Sequence, residues 1–298
     1  MRESIITNLE GRSPFSACER EEFCKFERED GWFGRYIELD EFQQTIIKAA
    51  NELLVVTKTI LCQYFDRCGI PYTKKKMARE LELLSDNEYL DKWRFRTNDE
   101  SGFTFLVYQT GRKGRGYLGR SGFKLHLKGY LEKCLQSPDK IKKILSANQA
   151  MLALAGREAY IETGRMFVSG GGYQNHTDKL FRAYGFVCDE IKKSAVFIEP
   201  IRNTQGNVRE TVEKLKRMDA TIKRRKTLNV ELPEEITVLL VAEDCVRMDV
   251  YMEEFAKYRF NTFQISLTYD RLVIMDDRDA ESKCMELKQL PWWRRLVG

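Results

Sequence analysis

Two carboxylates define the chemistry that this chain could attempt. Asp189 closes the run Val187-Cys188-Asp189, and Glu199 lies ten residues on, within Phe197-Ile198-Glu199-Pro200-Ile201-Arg202. Acids on neighbouring strands can hold Mg²⁺, which polarises a phosphate and generates hydroxide beside it. Such a centre also wants a lysine two residues after the second acid, on the same face of the strand. That position is Ile201, and Arg202 falls on the opposite face by the period of two. Lys214 or Lys216 on the following helix is the available substitute. The pattern therefore favours a degenerate, non-cleaving core over an intact Mg²⁺ nuclease. No other cofactor is expected.

A second set of residues could bind phosphate without chemistry. Lys74, Lys75, Lys76 and Arg79 open one helix, and Arg112, Lys113 and Arg115 crowd a glycine-rich segment from Gly111 to Gly116. The elements that must position them are legible. A helical pattern from Thr59 to Cys68 stops at Gly69, which suits a C-terminal cap. Pro71 forbids continuation, and Thr73 can cap the next helix through its hydroxyl. That helix carries Met77, Leu81 and Leu84 on its apolar face. Two strand-like runs follow, Trp93 to Arg96 and Phe103 to Tyr108, around the turn-forming Asn98-Asp99-Glu100-Ser101-Gly102. Helix, turn, basic helix and hairpin in this order predict a winged helix-turn-helix. Thr73, Lys74, Lys75, Lys76 and Arg79 would contact DNA at the major groove, and Arg112, Lys113 and Arg115 would track the backbone beside the wing. Three lysines at a helix start are also what a solvated face looks like. They sit at the wrong end of the helix dipole, which an anionic partner would relieve.

The remaining segments divide the chain. Residues 1–37 form a polar arm containing Phe15, Phe23, Phe26, Trp32 and Phe33, aromatics that either pack on the next domain or bind a partner. Residues 38–118 make the winged domain, whose first helix starts at an Asp40 N-cap and buries Phe42, Ile46, Ile47, Ala50, Leu53 and Leu54. Residues 119–156 form a connector containing a helix opened by Pro138. Residues 157–275 alternate strand and helix. There a strand from Arg165 to Val168 runs into Gly170-Gly171-Gly172, read as a turn. Strands Phe186 to Ile191 and Ala195 to Ile198 meet at Lys192-Lys193-Ser194. A long basic helix from Arg209 to Lys226 precedes Ile236 to Ala242, a continuous apolar run of the kind buried on both faces. Helix Met248 to Tyr258 and strand Thr262 to Leu267 complete a small α/β sheet. Residues 276–298 are a charged tail ending in Pro291-Trp292-Trp293-Arg294-Arg295. The fold class expected is thus α+β or α/β in two domains.

Composition excludes several alternatives. With 298 residues and a net charge of +5, the chain can fill two cores. Its basic residues concentrate between Lys74 and Lys133, as one phosphate-facing surface requires. No apolar run is long enough to span a membrane, and no signal-peptide core is present, so a cytoplasmic protein is expected. The eight cysteines then read as thiols; Cys18/Cys24 and Cys62/Cys68 are spaced too widely for the usual zinc pair. His126 and His176 support neither a nucleophilic triad nor a three-histidine metal site.

Tyr108-Gln-Thr-Gly-Arg-Lys-Gly-Arg-Gly-Tyr-Leu, Ala147-Asn148-Gln149, the FIEPIRNTQG run that starts at Phe197 and the EKLKRM helix form a loose set of motifs over Glu38 to Leu272. The chain in this respect resembles the replication-relaxation and MobC-like proteins of plasmids and integrative elements in Gram-positive bacteria. The resemblance implies a restriction-endonuclease-like second domain of the PD-(D/E)XK type, with Asp189 and Glu199 at the positions of the acids and Ile201 departing from the lysine. It also implies a DNA-binding accessory role in conjugative mobilisation or replication. The partners would be double-stranded DNA and a relaxase, a replication protein or a second copy of the chain. A Mg²⁺-dependent endonuclease or relaxase and a winged-helix transcriptional regulator are the alternatives.

Overall fold

The computed structural model describes residues 26–28, 36–96, 104–123, 125, 138–155, 161–168, 179–189, 193–202, 207–227, 233–243 and 248–270. The described residues form a mixed α and β fold with seven helices and two small sheets. They fall into two compact units that divide between Leu145 and Ser146. The division falls within the expected connector, 119–156, inside its helix.

The N-terminal unit begins with helix α1, Glu41–Leu53. Asp40 caps it by accepting from the Gln43 amide at 2.7 Å, while the Gln43 side chain returns to the Asp40 amide at 3.1 Å. This reciprocal capping satisfies two amides that the first turn would leave bare. Val56 next exchanges two backbone hydrogen bonds with Tyr108, of 3.0 and 2.8 Å. Helix α2, Lys58–Arg67, follows a Thr57 cap. Gly69 then takes φ 67°, a backbone conformation open to glycine at no steric cost. The Tyr72 ring packs edge-on to Phe65, and its hydroxyl donates to Asp66 at 3.0 Å. Together these close the turn into helix α3, Lys74–Asp86, whose Met77, Leu81 and Leu84 are fully buried as their spacing predicts. Strands β2, Leu90–Arg96, and β3, Thr104–Thr110, pair antiparallel. Both extend beyond the expected runs; the turn between them lies outside the described residues. Phe26–Arg28, within the expected polar arm, is a short strand β1 laid antiparallel on β2.

The glycine-rich segment from Gly111 to Gly116, placed beside the wing by the sequence pattern without a secondary structure, opens a helix, α4, Arg112–Arg120. Its poor intrinsic propensity is overcome by tertiary contact. The amides of Gly111 and Lys113 donate to the carbonyls of Tyr89 and Glu88, at 2.9 and 3.0 Å. The α3-to-β2 turn thus satisfies amides at the start of α4 that have no helical acceptor.

In the C-terminal unit, helix α5, Pro138–Ala155, crosses the boundary. Strands β4 (Ile161–Val168), β5 (Lys179–Asp189) and β6 (Ser194–Pro200) form an antiparallel meander. Helices α6, Asn207–Thr227, and α7, Met248–Ala256, then carry the chain to β7, Glu235–Ala242, and β8, Gln264–Tyr269. These last strands add in parallel, giving the order β4-β5-β6-β7-β8. Parallel neighbours need such helical crossovers. Val212, Leu215, Met218 and Ile222 of α6 join Tyr251 and Phe255 of α7 over Phe186, Phe197, Val238 and Leu240. On the other face, Ala147 and Met151 of α5 approach Gly185. Residues Ile236 and Val238 to Ala242 of β7 are all buried, so its apolar run reads as a strand covered on both faces. The Gly170 triplet and the tail after Asp270 lie outside the described residues.

Candidate functional site

The basic start of α3 is presented by its cap and its anchor. The Thr73 hydroxyl accepts from the Lys76 amide at 3.0 Å, so this residue serves the helix start. Lys74 and Lys75 are exposed. Lys76 lies over the Phe42 ring, its Nζ 4.1 Å from the centroid, a cation–π contact that fixes its direction. Arg79 is exposed but bidentate in its hold on Glu80, at 2.6 and 3.0 Å. Glu80 itself is buried and accepts from Gln43 Nε2 at 2.9 Å. The acid therefore locks α3 to α1 and restrains Arg79 from behind. On the hairpin side, Lys92 of β2 meets Glu82 at 2.8 Å.

The Glu80 carboxyl is pushed up by burial, but hydrogen bonds from Gln43 and Arg79 outweigh this and hold it below the ordinary 4.5. A group whose folded pKa is depressed stabilises the fold above its unfolded pKa, and that stability is lost as pH falls through the folded value. Glu80→Gln is accordingly expected to flatten the acid limb of stability below pH 4.5, read by amide exchange in α1 and α3. Parallel losses in the parent and variant would show that Glu80 carries none of that limb.

The second basic set is not where the sequence pattern puts it. Arg112 is exposed at the start of α4 and pairs with Glu88 at 2.7 Å. Lys113 is buried, with its Nζ 5.1 Å from the Tyr36 ring centroid, so it does not track a nucleic-acid backbone. Arg115 is half-buried. Helical phase, invisible in a glycine-rich string, turns these three side chains in different directions.

The strand register separates the two candidate Mg²⁺ acids. Asp189 pairs with Ser194 at the start of β6, five residues from Glu199. At about 3.4 Å per residue that is roughly 17 Å along the strand, far beyond one metal's reach. The sequence spacing of ten residues fits a hairpin, but the tight turn at Lys193, with φ 49°, makes Asp189 and Ser194 direct partners. Glu199 is buried and held instead by Lys214 of α6, the substitute that the sequence suggests. Lys214 also lies 5.1 Å from the Tyr184 ring centroid. Among the described residues, no group of three histidine, cysteine or acidic side chains could hold a metal.

One polar constellation escapes a reading of the sequence. Arg202, after β6, is fully buried and pairs with Asp270, after β8, at 2.5 and 3.3 Å. The Ser146 hydroxyl of α5 donates to the same carboxylate at 2.5 Å. These groups gather beyond the carboxyl ends of the parallel strands, on the opposite side of the sheet from Glu199. The signal is present in part: the period of two already places Arg202 opposite Glu199. Its acid lies 68 residues away, too far for any local pattern.

No family model, curated protein or solved structure matches this chain. Among the described residues no helix is long and apolar enough to cross a membrane.

Proposed function

We propose that the protein binds double-stranded DNA as an accessory factor of a plasmid or integrative element, acting in conjugative mobilisation or replication. The observation that carries the DNA-binding reading is the exposed Lys74-Lys75 pair at the start of a helix anchored from behind by buried Glu80. Helix α1, the Val56 bridge, α2, a tight turn, α3 and the β2-β3 hairpin follow one another in winged-helix order. That order offers α3 to a major groove and the hairpin to flanking phosphates. The mobilisation or replication role rests on the motif resemblance. In this reading the C-terminal unit is a degenerate endonuclease-like core. Glu199 and Lys214 remain together without the second acid, and the unit serves to recruit a relaxase, a replication protein or a second copy.

Fluorescence anisotropy with a random duplex over a salt series tests the reading. Each neutralised phosphate contributes a log–log slope of about −0.9, so Lys74/Lys75/Lys76→Ala is expected to flatten the slope by up to about 3. An unchanged slope in the triple variant, or no binding by the parent at low salt, would overturn it.

A further inference from the structure

A second basic surface lies on the C-terminal unit, on the long helix whose charge the α3 reading does not use. Helix α6 buries Val212, Leu215, Met218 and Ile222, and its opposite face exposes Arg209, Lys216, Arg217, Lys223 and Arg224. The exposed acids, Glu210 and Glu213, belong to the first two turns, and Glu213 pairs with Lys216 at 2.8 Å. From Lys216 to Arg224 every charged side chain of the exposed class is a cation. Asp219, on the flank, is engaged elsewhere, accepting from the amides of Asn261 and Thr262 at 3.0 Å each and from the Thr262 hydroxyl at 2.7 Å. These bonds, with Lys216 Nζ 4.8 Å from the Tyr258 ring centroid, fix the 257–262 turn against the helix. The turn brings exposed Arg259 to the same part of the unit.

The helix dipole tolerates cations near a C-terminus, but its effect fades within the last turn. The stripe runs further. From Lys216 to Arg224 the rise is about 12 Å, and a duplex presents one negative charge per about 1.7 Å of axis over that length. A helix face whose exposed charges are all cations over that length is complementary to such a uniform line of charge, with no pocket needed. We propose that the exposed face of α6, with Arg259, is a second surface for the DNA duplex backbone, carried by the C-terminal unit and independent of α3. It shares with the proposed function only its ligand.

The test uses the full chain and the same random duplex. Arg217→Gln/Lys223→Gln/Arg224→Gln is expected to flatten the salt slope by roughly 0.9 for each phosphate no longer neutralised, up to about 3. Arg259→Gln, outside the helix, is expected to add up to about 0.9. An unchanged far-UV circular dichroism spectrum and melting transition confirm that these surface changes leave the fold intact. If the α6 variants keep the parent slope while the Lys74/Lys75/Lys76 variant loses its share, this surface does not touch DNA and the α3 reading stands. If the α6 variants flatten and the α3 variant does not, the inference holds and the proposed recognition helix falls. Binding to phosphatidylserine-containing vesicles, with none to the duplex, would overturn both and make the stripe a lipid-facing one.

Discussion

Asp270→Ala is expected to destabilise the C-terminal unit by about 3–5 kcal/mol, because it strands a guanidinium in the interior. Arg202 is among the most completely buried side chains of the described protein. Asp270 neutralises it through both carboxylate oxygens and also takes the Ser146 hydroxyl. The cost comes from the charge left behind rather than from the value of the pair, so the size of the loss should depend on what else is removed. Arg202→Ala should cost a similar amount, leaving a buried carboxylate. Arg202→Met with Asp270→Leu, which removes both charges and fills the volume, should recover most of the loss. Amide exchange of β7 is the readout, since its residues sit centrally between β6 and β8. A tenfold change in protection corresponds to about 1.4 kcal/mol, so either single variant should lose roughly two to four decades. If Asp270→Ala leaves β7 protection within a factor of about three, the pair behaves as a surface ion pair does, despite its burial. The pair ties the loop after β6, the end of β8 and the first residue of α5 in this unit to one point. That makes it the cross-brace of the carboxyl edge of the sheet.

Local chemistry is readable in the sequence, and long-range register is not. Asp40 and Thr73 announce their helices because a capping side chain acts within three residues. Met77, Leu81 and Leu84 give the buried face of α3, and the unbroken apolar run of β7 marks a strand covered on both sides. The Asp189–Glu199 pairing fails for the converse reason. Two acids on consecutive strands look adjacent in a string, but the length of the turn between them decides whether they meet. Here the turn at Lys193 places Asp189 against Ser194. The Arg112 to Arg115 segment is misleading because glycine carries two meanings. In the string it signals backbone freedom, whereas at Gly111 and Gly114 the absent side chain lets two backbones touch. The Arg202–Asp270 pair is beyond reach, as two helices and two strands lie between its members.

That second meaning of glycine yields a test within a single helix, in which one substitution has opposite signs two residues apart. At Gly114 an added Cβ would stand 2.3 Å from the Tyr89 carbonyl oxygen, 3.1 Å from Thr110 Cγ2 and 3.3 Å from Ile47 Cγ2. The first of these is backbone and cannot rotate away. It belongs to the turn that also accepts the Gly111 and Lys113 amides, so relief requires α4 to lift from the turn and break those bonds. Gly114→Ala is therefore expected to destabilise the N-terminal unit by at least about 2 kcal/mol, at the upper end of overpacking costs. At Gly116 the added Cβ would meet only the tip of Arg120, at 3.8 Å, on an exposed position. Alanine there relieves the entropic penalty of glycine in a helix, and Gly116→Ala should stabilise by about 0.5–1 kcal/mol. Amide exchange at Val107 and Tyr108 in β3 reads both, because β3 pairs with the strand that leaves the α3-to-β2 turn. Two stabilising alanines would mean that Gly114 does not pack against the Tyr89 carbonyl. A stabilising Gly116→Ala beside a destabilising Gly114→Ala requires the helix, and with it the burial of Lys113 that removes this residue from any phosphate-facing surface.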